Sequence, residues 1–167
     1  MPERLLVAVD PSAASRKAVQ YVGRIFGTRK PIDVEITLFH VADEPSQDVA
    51  ASLTDTALIE TVGAVLKDMT EPAAQRAEKL LTQCRDLLVA AGVPAEAIRI
   101  KHTLQESRPE ARRVVAALAI VEEVKDGGYG TVVVGRRGTS NIPELYIGGV
   151  AEKVARHVTG ATVWIVD

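Results

Sequence analysis

Leu5-Leu6-Val7-Ala8-Val9 is continuously apolar and stops at Asp10. A strand with one face in water alternates apolar and polar residues, so an unbroken run implies that both faces are covered. That is the situation of a central strand in a parallel sheet flanked by helices. The run is too short for a membrane span or for the apolar region of a signal peptide, and a cytoplasmic protein is expected.

The residues that follow support this reading. Asp10-Pro11-Ser12 breaks the strand, with Ser12 placed to cap a helix whose apolar positions Ala14, Ala18, Val22, Ile25 and Phe26 lead to Gly27. Val34 to Val41 is rich in β-branched and aromatic residues and predicts a second strand, followed by a loop through Pro45. Leu53 to Ala91 has a helical pattern that Pro72 must break or kink, and Gly92-Val93-Pro94 stops it. Ile98 to Thr103 predicts a third strand. Ser107-Arg108-Pro109 predicts the start of a helix to about Lys125, with Val114, Val115, Leu118, Val121 and Val124 on its apolar side. Thr131 to Val134 is a fourth strand, Val150, Val154 and Val158 mark a last helix, and Ala161 to Val166 is the final strand. Strands alternating with helices give an α/β domain built on an open five-stranded parallel sheet, with ligands expected beyond the carboxyl ends of the strands.

Composition narrows the classes. The 167 residues, 47% of them hydrophobic, suit one domain spanning 1–167 with a substantial core. A formal net charge of -2 disfavours a nucleic-acid surface, and the short doublets Arg112-Arg113 and Arg136-Arg137 have no interleaved aromatics. Cys84 stands alone in a helical pattern, so neither a disulfide framework nor a cysteine metal site is available. His40, His102 and His157 lie far apart and read as structural. Glu106, Glu110, Glu122 and Glu123 belong by pattern to a solvated helix face, and no catalytic residue and no metal site is expected.

Chemistry concentrates after the fourth strand. Gly135-Arg136-Arg137-Gly138 is followed by nine residues and then by Gly148-Gly149 at the start of the last helix. Glycines permit positive φ and close approach to an anion, and a helix start supplies free N–H groups with a favourable dipole. Gly148, Gly149 and Val150 are the expected amides, and Arg136, Arg137, Thr139 and Ser140 are the expected side-chain donors. An ordinary glycine-punctuated turn is the alternative. The chain has no GxxxxGK[ST], and no GxGxxG follows the first strand.

Gly135-x2-Gly138-x9-Gly148-Gly149 resembles the G-x2-G-x9-G-[ST] nucleotide-binding pattern of universal stress proteins. The opening Val7-Ala8-Val9-Asp10 with Ser12, the strand Leu38-Phe39-His40-Val41 and the helix start Gly149-Val150-Ala151-Glu152-Lys153-Val154 are similar to the same family. The resemblance implies a Rossmann-like fold of the adenine nucleotide alpha hydrolase type that binds ATP or another adenine nucleotide, with Mg²⁺ on the phosphates. It maps the ribose or adenine contact to Asp10 and an adenine contact to the backbone of Val41. The phosphate loop runs from Val134 through Gly135, Arg137, Gly138, Gly148, Gly149 and Val150. From the residues alone Asp10 is as well read as a turn former. Gly149 departs from the pattern by lacking a hydroxyl, which removes roughly 0.5–1.5 kcal/mol of hydrogen bonding, with Ser140 or Arg137 placed to compensate. Asp43 to Thr70 corresponds to a variable stretch expected to shape a lid or a partner surface. The family implies a homodimer through the last strand, Val163 to Val166, which would cover an apolar edge. Three functions remain open: a nucleotide-binding regulator, a nucleotide-independent interaction protein, or a weak ATPase.

Overall fold

The computed structural model describes residues 2–28, 33–44, 71–138 and 146–167. Five strands form one all-parallel sheet: β1 (Glu3–Ala8), β2 (Val34–Glu44), β3 (Ile98–Glu106), β4 (Thr131–Gly135) and β5 (Thr162–Val166), in the spatial order β3-β2-β1-β4-β5. The apolar run of β1 is therefore the central strand. Leu5 and Val7 enter one core with Ala18, Val22, Leu81 and Leu88, while Leu6 enters the other with Ile120, Val124 and Val154. Having two cores is why the run does not alternate.

Four helices supply those cores: α1 (Ala13–Phe26), α2 (Ala73–Ala90), α3 (Arg112–Gly127) and α4 (Gly149–His157). α1 and α2 cover one face of the sheet, α3 and α4 the other. Ser12 caps α1 as expected, its hydroxyl accepting from the Ser15 N–H at 3.1 Å. Pro72 breaks the long helical pattern outright, standing as the residue before α2. The α2 stop is built on Gly92 at φ +100, with the Val93 N–H donating to Leu88 O at 3.0 Å. The part of the long pattern before Glu71 lies outside the described residues, as does the lid or partner surface expected of the stretch to Thr70, apart from Asp43 and Glu44.

Three expectations about β2, β3 and α3 need correction. β3 runs to Glu106 rather than Thr103, because β2 itself continues to Glu44 and offers partners up to the pair Glu44↔Glu106. An edge strand can be polar on its open side, so the composition of Gln105 and Glu106 concealed it. α3 begins at Arg112, and Ser107 is instead buried with its hydroxyl donating to Asp43 Oδ1. The buried stripe of α3 is Ala117, Ile120 and Val124, whereas Val114 and Leu118 are exposed. Periodicity weighs hydrophobicity but not size, and a small residue, Ala117, lies in the core beside Phe39.

Candidate functional site

The loops after β1 and β4 part because α1 leaves to one face of the sheet and α4 to the other. A crevice opens between them at the carboxyl ends of the strands, the place where doubly wound sheets take ligands. Its empty space, counting the part open to solvent, is about 720 Å³. Asp10, Val41, Val134, Gly135, Arg137, Gly138, Gly149 and Val150 all line it, whereas Gly148 is buried and is not among the lining residues. Apolar walls come from Val9, Phe39, Ala116 and Ile120.

Asp10 combines both readings of its role. Its Oδ1 accepts from the Ser12 N–H at 2.8 Å, which makes the turn, and its N–H donates to Ser15 Oγ at 2.9 Å. Oδ2 remains on the cleft side, 3.1 Å from where a Cβ on Gly138 would stand. The Val41 backbone edge is set by strand lengths. β1 ends at Ala8, and Val9 N–H donates to Phe39 O at 2.8 Å. Alternate residues of a parallel strand turn their N–H and C=O to the same side, so Val41 faces the space that β1 has vacated.

The glycines act by close approach, not by positive φ, which is a correction to the expectation above. Among the described residues only Gly92, Gly128 and Gly160 have positive φ. A Cβ on Gly135 would lie 2.8 Å from Ala14 C and from Ser15 N, so β4 can end against α1 only without a side chain. A Cβ on Gly148 would lie 3.1 Å from Arg136 O and 3.2 Å from Arg137 Cα. Nor is Gly148 a free donor, since its N–H donates to Arg136 O at 2.7 Å and folds the segment back on itself. The free amides are the next three. α4 starts at Gly149 with no side-chain cap, so the N–H groups of Gly149, Val150 and Ala151 have no partner within the helix. All three residues line the cleft.

Side chains are distributed differently from expectation. Arg137 lines the cleft, but its Nη2 is 3.0 Å from Asp167 Oδ1, while Arg136 Nη1 is 2.8 Å from Asp167 Oδ2. The two arginines hold the Asp167 carboxyl below its ordinary range. Thr139 and Ser140 lie outside the described residues. Among the ionisable lining residues, His40 and Arg113 were missed. His40 sits at the end of β2 with Nδ1 2.7 Å from Val9 O. A carbonyl only accepts, so the proton is on Nδ1 and Nε2 is the acceptor. Burial holds this imidazole below the usual histidine range. Arg113, from the first turn of α3, also reaches the cleft. Its sequence signal was the doublet with Arg112, whose own guanidinium is occupied by Asp43. Glu123, expected on a solvated face, is largely covered, accepting from Lys101 Nζ at 2.7 Å and from the Tyr129 hydroxyl at 3.2 Å. Among the described residues no group of three or more His, Cys, Asp or Glu side chains could hold a metal, and no helix is long and apolar enough to cross a membrane.

Strand order, helix placement and cleft define a Rossmann-like α/β domain with a ligand crevice at its switch point. The chain belongs to the universal stress protein family, whose model matches residues 1–167, the family that the glycine spacing resembles. It is 25% identical over 156 residues to universal stress protein YxiE of Bacillus subtilis, covering 93% of each chain. Its fold is similar to that of the hypothetical protein MJ0577, with a TM-score of 0.63 and 22% identity over 99% of this chain and 96% of that one. It is likewise similar to a universal stress protein solved in complex with cAMP, with a TM-score of 0.61 and 23% identity over 99% of this chain and 97% of that one.

Proposed function

We propose that this universal stress protein binds an adenine nucleotide, ATP in the first place, and acts as a regulator in the stress response whose ligand state biases a dimer or partner surface. The observation that carries the reading is the meeting, in one cleft, of the Asp10 carboxylate, the open backbone edge of Val41 and the uncapped amides of α4. Adenine would lie between Val9, Phe39 and Ile120, pairing with the Val41 backbone. Asp10 Oδ2 would accept from a ribose hydroxyl, and the phosphates would take the N–H groups of Gly149, Val150 and Ala151. Mg²⁺ would enter on the phosphates, coordinated mainly by them and by water. The relative solved with cAMP supports the ligand class.

The same reading makes the protein a cytoplasmic homodimer. β5 pairs with β4 on one side only, and Val163 to Val166 would pair with the same strand of a second copy across a two-fold axis. Light scattering that gives a monomer at working concentrations would remove this element.

Isothermal titration calorimetry with ATP, ADP and AMP tests the nucleotide reading. One site per chain is expected, and no heat up to millimolar nucleotide would refute it. Gly138→Val should abolish binding, since its Cβ would stand 3.1 Å from Asp10 Oδ2. Gly149 in place of Ser or Thr favours a second reading, an interaction protein that needs no nucleotide. Native mass spectrometry separates the two, because a retained nucleotide belongs only to the first. ATP turnover with magnesium is expected to stay at the buffer rate, and measurable turnover would establish the weak ATPase instead.

A further inference from the structure

The cations at the cleft are not equivalent. Arg136 and Arg137 are joined to Asp167, and Arg112 to Asp43. Arg113 has no ion pair or hydrogen bond among the described residues, although it lines the cleft. It also stands where a cation is disfavoured. The first turn of α3 contains no acid, its N-cap Ala111 makes no side-chain hydrogen bond, and the helix dipole there is positive.

Gly149 brings a second helix start to the same point. The Cδ of Arg113 is 3.5 Å, and Lys153 Nζ 4.0 Å, from where a Cβ on Gly149 would stand. Glu152, the acid of the first turn of α4, is turned to Arg156 at 2.8 Å. Arg113 and Lys153 thus both approach the start of α4, and neither is paired with a carboxylate among the described residues. A local conflict of this kind, left uncompensated within the protein, marks a position selected for a ligand. On the nucleotide reading the α4 amides would take one phosphate group, which leaves these cations for a further one.

We infer that Arg113 is a phosphate-binding residue of the cleft that selects nucleoside di- and triphosphates over monophosphates and cyclic monophosphates. Lys153, whose Nζ is 4.0 Å from where a Cβ on Gly149 would stand, assists. The inference rests on the nucleotide reading of the cleft.

Calorimetry with ATP and AMP on the wild-type protein and on Arg113→Gln tests it. The wild type is expected to bind ATP at least about tenfold more tightly than AMP. Arg113→Gln should weaken ATP by about ten- to a hundredfold, the worth of a charge-assisted contact, and shift AMP by less than about twofold. Unchanged AMP affinity also shows that the variant is folded. ATP affinity within about twofold of wild type, or equal losses for ATP and AMP, overturns the role of Arg113 while leaving the nucleotide site standing. A wild-type protein that binds neither nucleotide overturns the nucleotide reading and this inference with it.

Discussion

Gly149→Ser restores the hydroxyl that the family's pattern carries, and the structure says what it would cost and gain. The new Cβ would meet Arg113 Cδ at 3.5 Å and Lys153 Nζ at 4.0 Å, ordinary van der Waals contacts with two flexible side chains. Serine in place of glycine in the first helical position also orders less chain on folding, a gain of a few tenths of a kcal/mol. A hydroxyl beside the uncapped amides adds one neutral hydrogen bond to phosphate, about 0.5–1.5 kcal/mol, or roughly two- to tenfold in Kd. Gly148→Ala is the control. Its Cβ would press on Arg136 O at 3.1 Å and Arg137 Cα at 3.2 Å, backbone already tied to Gly148 by a 2.7 Å hydrogen bond. That backbone has nowhere to go, and binding should be lost. Calorimetric titration of ATP and AMP, with thermal melts of each variant, reads both effects. Gly149→Ser binding no better than wild type at an unchanged melting temperature, or Gly148→Ala binding normally, would falsify the placement of the phosphates at the start of α4.

Three further outcomes follow from the same geometry. Gly135→Ala places a Cβ 2.8 Å from the backbone of Ala14 and Ser15. It should destabilise by about 1–3 kcal/mol, lowering Tm by several degrees in a thermal melt. His40 is held below the usual histidine range by burial, so the unfolded chain binds its proton first as pH falls. Stability from this group is complete above the unfolded value of about 6.5 and declines as pH drops toward the folded value. Urea titrations between about pH 7.5 and pH 5 should show that slope, and His40→Gln should flatten it; an identical slope in the variant removes His40 as the cause. Cys84 is buried, and desolvation pushes its thiol up to about 11, so it should resist a disulfide reagent at pH 8 until denaturant is added. Rapid labelling of the native protein would contradict its placement beside Leu81 and Leu88.

What could be read from sequence depended on whether the determinant was local. The apolar run of β1, the cap at Ser12, the stop at Gly92 and the break at Pro72 are each decided within a few residues and stand where expected. Contacts between distant elements left little trace. Nothing near Gly135 announces that α1 passes within 2.8 Å of its missing Cβ. A glycine expected to serve positive φ and close approach to an anion is instead required by close approach to the protein's own backbone. The N–H of Gly148 looked free because its acceptor, Arg136 O, lies across a loop. His40 and Arg113 were passed over because histidines and arginines are common on surfaces, and only the meeting of the end of β2 with the first turn of α3 brings them to one cleft.

The stagger of the strands explains why the cleft is where it is and why its ligand preference lies elsewhere. β1 stops at Ala8 while β2 continues to Glu44, so the backbone beyond Val9 stays open whatever side chains occupy it. β4 ends against α1 at Gly135, which sends the next segment to the opposite face and opens the crevice. These features are set by topology and by one close contact. Charge is not set by topology. Two arginines open α3 without an acid in its first turn, and a glycine opens α4 where the family pattern has a hydroxyl. Each is unfavourable or neutral for the fold alone, and together they bring the Arg113 side chain to the start of α4. On the nucleotide reading, substitutions in the first turns of these two helices would change anion preference while leaving the sheet as it is.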